Sequence, residues 1–135
     1  MAHVFTSERV LIMKWAFAPG LAFVLLATTN VRAADSYESL KKEWISTANE
    51  ITDALKNIKD ESSAKESRPQ LKKLKAKLDA VNSRQGKLGR VDITEIGEVE
   101  KKYKKDFEAA LQGWLKEETR VQKVKGGPEA LKELK

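Results

Sequence analysis

The side chains that most often carry out chemistry are nearly absent from this chain of 135 residues. It contains no cysteine and one histidine, His3, close to its start. Imidazole and thiolate are the usual ligands of zinc, copper and haem, and the usual groups for acid–base and nucleophilic catalysis near neutral pH. We therefore predict no catalytic residue, no metal site and no cofactor, and a protein that is not an enzyme.

Carboxylate pairs are the remaining candidates for binding a cation. They are Glu50 with Asp53, Glu95 with Glu98, and Glu117 with Glu118. None follows the spacing of a calcium-binding EF-hand loop, and no pattern brings two carboxylates to one pocket for hydrolysis. We interpret them as solvated charges on helix surfaces, with an oxygen-only calcium or magnesium site as the alternative.

A lysine cluster is the clearest charged feature: Lys72, Lys73, Lys75 and Lys77. Residues 62–90 hold nine basic and two acidic side chains, whereas residues 35–61 hold four basic and seven acidic ones. One interpretation is internal, with an acidic first helix docked antiparallel on a basic second helix. The other is a surface for anionic partners such as lipid headgroups or acidic envelope polymers. No nucleic-acid-binding signature accompanies the lysines, so we do not expect nucleic acid as the partner.

The start of the chain has the parts of a secretory signal peptide. A basic start at residues 13–14 precedes an apolar run over residues 15–27. Residues 31–33 then place small side chains at positions −3 and −1 of a cleavage site. We predict that cleavage falls between Ala33 and Ala34, so that residues 1–33 are the signal peptide.

Two alternatives stay open for this leader. Its apolar run of 13 residues is interrupted by Pro19-Gly20 and is shorter than the ~20 residues that span a bilayer, but an uncleaved anchor is the alternative to cleavage. Met13 is a candidate for the true initiator, and a genuine long N-terminal region that includes Glu8 is the other option. With cleavage, residues 34–135 form one mature domain in the periplasm or outside the cell, without a transmembrane helix.

Apolar side chains recur at helical spacing along three stretches of the mature domain. They predict helices over about 36–59, 67–84 and 94–125, and a short tail helix over about 128–134. The pattern is clearest in the first stretch, with steps of three and four between Tyr37, Leu40, Trp44, Ala48, Ile51, Leu55 and Ile58. Gly126-Gly127 is expected to end the third helix, and Pro128 to begin the tail helix.

The helix starts are predicted from capping patterns. The capping pairs of the first and third helices are Asp35 with Glu38 and Asp92 with Glu95. The second helix has two candidate starts, Ser63 and Ser67. We choose the later start because it places Pro69 in the first turn, where proline is tolerated.

Three amphipathic helices with short connections favour antiparallel neighbours. We predict an all-α fold, an elongated up-down-up three-helix bundle with coiled-coil-like packing. Five aromatic side chains lie on the apolar stripes and are interpreted as core instead of a ligand platform: Tyr37, Trp44, Tyr103, Phe107 and Trp114. The positions beside the apolar stripes are charged and the predicted core is small. We therefore expect either self-association or binding to an unknown protein partner.

Several boundary and packing residues follow a distinctive order: Ile58, Asp60, Ser63-Ala64, Pro69, Leu71, Leu74, residues 100–103 and residues 126–131. They resemble a loose group of short exported helical proteins of environmental bacteria, usually labelled hypothetical. The resemblance implies a leader followed by a helical hairpin or bundle, and it carries no functional residue. We predict a structural or protein-interaction module. The alternative is a peripheral binder of anionic envelope surfaces that uses the lysine-rich second helix.

Overall fold

Four α-helices and a terminal 3₁₀ turn follow one another in a computed structural model that describes residues 35–135. They are α1 (Tyr37–Lys56), α2 (Glu61–Gly86), α3 (Ile93–Val121), α4 (Gly127–Leu131) and the turn Lys132–Leu134. No strand occurs in residues 35–135, so the all-α prediction is confirmed. The predicted signal peptide, the alternative start Met13 and the cleavage site between Ala33 and Ala34 lie outside the described residues.

α1 is capped one residue after the predicted position. The side chain of Ser36 accepts a hydrogen bond from the backbone N–H of Ser39, and the Ser39 hydroxyl accepts one from the backbone N–H of Ser36, both at 3.0 Å. This box replaces the predicted pair of Asp35 with Glu38, because the Asp35 carboxylate accepts a hydrogen bond from Arg84 at 2.6 Å. The helix ends at Lys56, three residues before the predicted end.

α2 begins at Glu61, so both predicted starts, Ser63 and Ser67, are wrong. The Asp60 side chain accepts a hydrogen bond from the backbone N–H of Ser63 at 2.8 Å, and the Ser63 hydroxyl accepts one from the backbone N–H of Asp60 at 3.0 Å. A cap of this kind stabilises a helix start by about 1 kcal/mol. The cap at Asp60 therefore sets the start of the helix.

The earlier start places Pro69 inside α2, beyond the first turn. Proline in a helix interior removes the hydrogen bond to the carbonyl four residues earlier, here that of Lys65. Both Pro69 and Lys65 are exposed, so water can satisfy that carbonyl. The helix continues to Gly86, two residues past the predicted end.

α3 begins at Ile93, one residue before the predicted start, and its cap is Asp92, as predicted. The Asp92 carboxylate accepts its hydrogen bond from the backbone N–H of Thr94 at 3.0 Å, in place of the predicted box with Glu95. The helix ends at Val121, four residues before the predicted end.

The chain reverses after α3 through two glycines. Gly126 has a φ angle of 78°, in the left-handed region that favours glycine. A Cβ atom on Gly127 would lie 1.8 Å from the carbonyl oxygen of Val121, so only glycine fits there. The tail helix consequently begins at Gly127, one residue before the predicted start, and changes to a 3₁₀ turn after Leu131.

α1 runs antiparallel to α2. Two ion pairs show this orientation. Asp35, just before α1, pairs with Arg84 near the end of α2, and Glu50 further along α1 pairs with Lys77 at an earlier position of α2. α4 and the 3₁₀ turn pack on α2 as well.

α1 runs parallel to α3. Tyr37 at the start of α1 hydrogen-bonds to Glu100, and Thr52 further along α1 faces Gly113. No Cα atom of α2 comes within 8 Å of a Cα atom of α3 in the described chain. Both long flanking helices therefore pack on α1.

The main core lies around the second half of α1. Its buried side chains come from all four helices and the loop after α1: Ile51, Ala54, Leu55, Ile58, Ala64, Leu71, Leu74, Leu78, Val121, Ala130 and Leu131. Removing this much apolar surface from water is the main favourable contribution to folding.

A smaller cluster joins α1 to α3. Its buried members are Ile45, Ala48 and Ala110, and four aromatic side chains pack against it: Trp44, Tyr103, Phe107 and Trp114. The ring centroids of Trp44 and Phe107 are 4.8 Å apart. For these four residues the predicted packing role is confirmed. The indole N–H of Trp114 is buried and has no hydrogen-bond partner in the described part of the chain.

Candidate functional site

The predicted carboxylate pairs do not converge on one site. No group of three or more histidine, cysteine, aspartate or glutamate side chains in residues 35–135 is arranged to hold a metal ion. Several of the carboxylates form ion pairs with basic side chains: Glu50 with Lys77, Asp53 with Lys56, and Glu117 with Arg120. Their interpretation as helix-surface charges agrees with these positions, and the absence of enzyme activity stays a prediction.

The predicted lysine cluster on α2 divides into two groups. Lys75 pairs with Asp79 on its own helix at 2.5 Å, and Lys77 pairs with Glu50 of α1 at 2.6 Å. Lys72 and Lys73 are exposed and have no carboxylate partner within residues 35–135. Lys75 and Lys77 are therefore committed to contacts within the chain, and two of the four lysines present an uncompensated charge.

Lys65 adds a third cation to Lys72 and Lys73, and sequence reasoning missed it. It lies seven residues before Lys72, on the same face of α2, and no ion pair involves it in the described residues. Lys65 and Lys72 line a shallow groove of about 370 Å³ together with Arg68, Pro69 and Glu133. The signal that was available is the two-turn spacing of Lys65 and Lys72.

The basic side chain nearest the end of this helix, Arg84, is structural. Arg84 donates two hydrogen bonds to Asp35, at 2.6 and 2.9 Å, and two to Glu43, at 2.9 and 3.0 Å. The hydrogen bonds to Asp35 raise the pKa of Arg84. With the Lys77 pair, these contacts support the internal interpretation, in which an acidic α1 and a basic α2 select antiparallel docking.

Glu100 of α3 joins two side chains at the start of α1. Its carboxylate accepts a hydrogen bond from the Tyr37 hydroxyl at 2.5 Å and two from the Lys41 ammonium at 3.0 Å. The hydrogen bond to Glu100 raises the pKa of Tyr37 to about 12, and the same bond lowers the pKa of Glu100. The Lys41 ammonium also lies 3.8 Å from the ring centroid of Phe107, a cation–π contact.

Glu38 of α1 is the acceptor for two side chains of α3, as Glu100 of α3 is for two side chains of α1. Its carboxylate accepts hydrogen bonds from Lys102 at 2.8 Å and from the Tyr103 hydroxyl at 2.6 Å. Hydrogen bonds from Lys102, Tyr103 and Lys42 lower the pKa of Glu38 to about 2. Glu38 and Glu100 together fix the register of α1 against α3.

Arg120 of α3 donates to one carbonyl group in the last turn of α1 and to one in the loop that follows. Its guanidinium donates to the backbone oxygen of Leu55 at 2.8 Å and to that of Ile58 at 2.9 Å. The last carbonyls of a helix have no partner within the helix, so a cation from a neighbouring helix is an effective cap.

The outer face of α3 exposes apolar side chains to solvent. Ile93 is 85% exposed and Leu115 is 53% exposed, and they are the exposed large hydrophobic residues of the described chain. They lie 22 positions apart, close to six full helical turns, and therefore on one face. Leu111, one turn before Leu115, is half-buried. We call Ile93, Leu111 and Leu115 the outer face of α3.

This outer face is not among the features predicted from the sequence. Ile93 and Leu115 lie beside the apolar side of α3 that packs on α1. The available signal was a second set of apolar residues on α3, which one buried face does not require.

Comparisons with known proteins give no relative. No protein-family model, no curated protein and no solved structure matches this chain. The resemblance to short exported helical proteins therefore stays a prediction. Among residues 35–135, every helix is too short or too polar to cross a membrane.

Proposed function

We propose that this protein is an exported structural or protein-interaction module, without catalytic activity, that binds its partner through the outer face of α3. The observation that supports the proposal is the exposure of Ile93 and Leu115 on one side of a single helix. Of the other two long helices only α1 covers α3. Apolar side chains aligned on an uncovered helix face are typical of helices that pack against a partner.

We also infer that the helical unit is an up-down-up three-helix bundle, extended along its helices, with α1 between α2 and α3. The contacts of α1 with α2 and with α3 support an up-down-up order of the three helices, because α2 runs antiparallel to α1 and α3 runs parallel to it. α2 has 26 residues and α3 has 29, which correspond to lengths of about 39 and 44 Å.

The proposed export rests on the leader in the sequence. The compact helical unit runs from Asp35 to Lys135, so cleavage between Ala33 and Ala34 would leave it whole. N-terminal sequencing of the protein recovered from cells tests this step. A first residue of Ala34 supports export to the periplasm or beyond, and a protein that retains residues before position 34 contradicts it.

Site-specific photo-crosslinking tests the interaction. A photoreactive amino acid replaces Leu115 in the full chain, which is expressed in its own cells and irradiated. We expect a discrete crosslinked product at this position. The matched control carries the same group at Ala109, which is exposed on another side of α3 and should give no such product. No product at Leu115, or equal products at both positions, contradicts the proposed role of this face.

A second candidate function is the binding of anionic envelope surfaces. The observation that favours it is the set of three α2 cations without a carboxylate partner in the described residues, Lys65, Lys72 and Lys73. Unpaired cations on one helix attract a polyanion or an anionic lipid surface at low salt, and the attraction weakens as salt screens it.

Binding to heparin and to phosphatidylglycerol vesicles separates this candidate from the first. The triple variant Lys65→Gln, Lys72→Gln and Lys73→Gln should lose binding that the unmodified protein shows at low salt. The control variant neutralises three other exposed lysines with the same change in net charge: Lys105, Lys116 and Lys123. Equal loss in both variants would show a general charge effect and would contradict a site on α2.

A further inference from the structure

We propose that the partner bound by the outer face of α3 is a second copy of the same chain, paired antiparallel along α3. The inference rests on the proposed function and specifies its partner. The solvent-facing side chains of α3 support this pairing, because their order is complementary to that of a second α3 that runs in the reverse direction.

The pattern follows a single solvent-facing stripe on α3. Its members are separated by three or four residues, which keeps them on one side of a helix. They are Ile93, Gly97, Lys101, Lys104, Glu108, Leu111 and Leu115. The stripe covers 22 positions, about 33 Å along the helix axis.

Apolar residues match when two stripes pair around a two-fold axis at position 104. Ile93 of one copy then lies opposite Leu115 of the second copy, and Gly97 lies opposite Leu111. A Cβ atom on Gly97 would find no other atom within 4 Å, so the backbone is open to a leucine side chain at this position. Each apolar contact occurs twice, because a two-fold interface is self-complementary.

The charged centre of the stripe selects the antiparallel orientation. Lys101 of one copy lies beside Glu108 of the second copy, and the symmetry repeats this ion pair. A parallel pairing would place Lys101 beside Lys101 and Glu108 beside Glu108, which is unfavourable. Lys104 lies on the axis next to its own copy, and each Lys104 ammonium has Glu108 of its own chain 4.0 Å away to offset part of the repulsion.

Cysteine pairing gives a direct test, since the chain contains no cysteine. Ile93→Cys and Leu115→Cys variants of the full-length gene are expressed and recovered separately, mixed, and oxidised mildly. A disulfide requires Cα atoms within about 7 Å of each other. Antiparallel pairing predicts that the mixed disulfide between the two variants forms at least tenfold faster than either symmetric disulfide. The control Ala109→Cys, mixed with Leu115→Cys, should form disulfides only at the slow rate of random collision.

Sedimentation equilibrium supplies the second measurement. The unmodified protein should show a reversible monomer–dimer equilibrium, and Leu115→Ser should weaken dimerisation at least tenfold. Lys104→Gln should tighten it, because the repulsion on the axis is removed. Symmetric disulfides that form as fast as the mixed one, or a protein that stays monomeric at millimolar concentration, would overturn the antiparallel dimer. If photo-crosslinking at Leu115 captures a different protein while the chain stays monomeric, the interaction function stands and the self-pairing is wrong.

Discussion

Gly127→Ala is expected to detach the C-terminal tail from α2. An alanine Cβ at this position would lie 1.8 Å from the backbone oxygen of Val121. A backbone atom cannot move away as a flexible side chain can, so the chain after Val121 must shift by more than an ångström. That shift displaces the buried residues of the tail, Ala130 and Leu131.

The cost follows from what the tail buries. A fully buried leucine contributes about 1.5–3 kcal/mol, and Leu131 is 5% exposed while Leu134 is half-buried. The ion pair between Arg68 and Glu133 adds at most about 1 kcal/mol, because both side chains reach solvent. The released tail regains conformational entropy, which offsets part of the loss. We expect a net loss of about 2–4 kcal/mol of unfolding free energy, or about 10–20 °C in melting temperature.

Thermal denaturation and limited trypsin digestion check this expectation. Cleavage after Lys123 and Lys125 should become fast in Gly127→Ala. The matched control is Gly113→Ala, whose Cβ would meet the Thr52 methyl group at an ordinary 3.5 Å. Within a helix this change should raise stability by about 0.5–1 kcal/mol. If Gly127→Ala melts at the temperature of the unmodified protein, the reasoning about the tail is refuted.

Three further predictions concern the contacts between α1 and α3. Arg120→Gln should cost about 1–2 kcal/mol in chemical denaturation, because the carbonyls of Leu55 and Ile58 lose their charged donor; an unchanged denaturation midpoint would contradict the capping role. The pKa of Glu38 is lowered to about 2, so its contribution to stability is present above the unfolded-state pKa near 4.3 and is lost as the pH falls toward 2. Glu38→Gln should therefore reduce the fall of the melting temperature between pH 4.3 and pH 2. An equal fall in the variant and in the unmodified protein would contradict this contribution of Glu38. The raised pKa of Tyr37, about 12, predicts stability that is present below the unfolded-state value near pH 10 and lost as the pH rises from 10 to 12. Ultraviolet titration should therefore show a late ionisation that disappears in Tyr37→Phe, and a titration curve that Tyr37→Phe leaves without any loss at high pH would contradict the hydrogen bond to Glu100.

The sequence predicts the helices better than it predicts their ends. The apolar spacing from Tyr37 to Ile58 identifies α1 because burial on one face imposes that spacing on any amphipathic helix. The predicted start at Ser67 was wrong because it was chosen to keep Pro69 in the first turn, whereas α2 begins after a cap at Asp60 and holds Pro69 in its interior. An exposed proline inside a helix costs less when water reaches the carbonyl that it leaves unpaired.

The candidate sites were predicted less completely than the fold. Lys72 and Lys73 are exposed, but Lys75 and Lys77 have partners that depend on how α2 docks, which a linear pattern does not specify. The outer face of α3 becomes visible only when the side of α3 that meets α1 is known, because Ile93 and Leu115 read as ordinary apolar residues in the sequence. The contact of Arg120 with the carbonyls of Leu55 and Ile58 joins residues more than 60 positions apart. The spacing of neighbouring residues in the sequence therefore cannot predict this contact.

Hydroxyl-radical footprinting of Leu115 in intact cells tests the central claim most directly. The reactivity of this side chain is compared with its reactivity in the dilute recovered protein, and exposed Pro69 on α2 is the internal reference. A partner on the outer face of α3 predicts strong protection of Leu115 and of Ile93 in cells, with Pro69 unchanged. Equal reactivity of Leu115 in cells and in dilute solution would contradict the account, because the exposed face of α3 would then have no partner where the protein works.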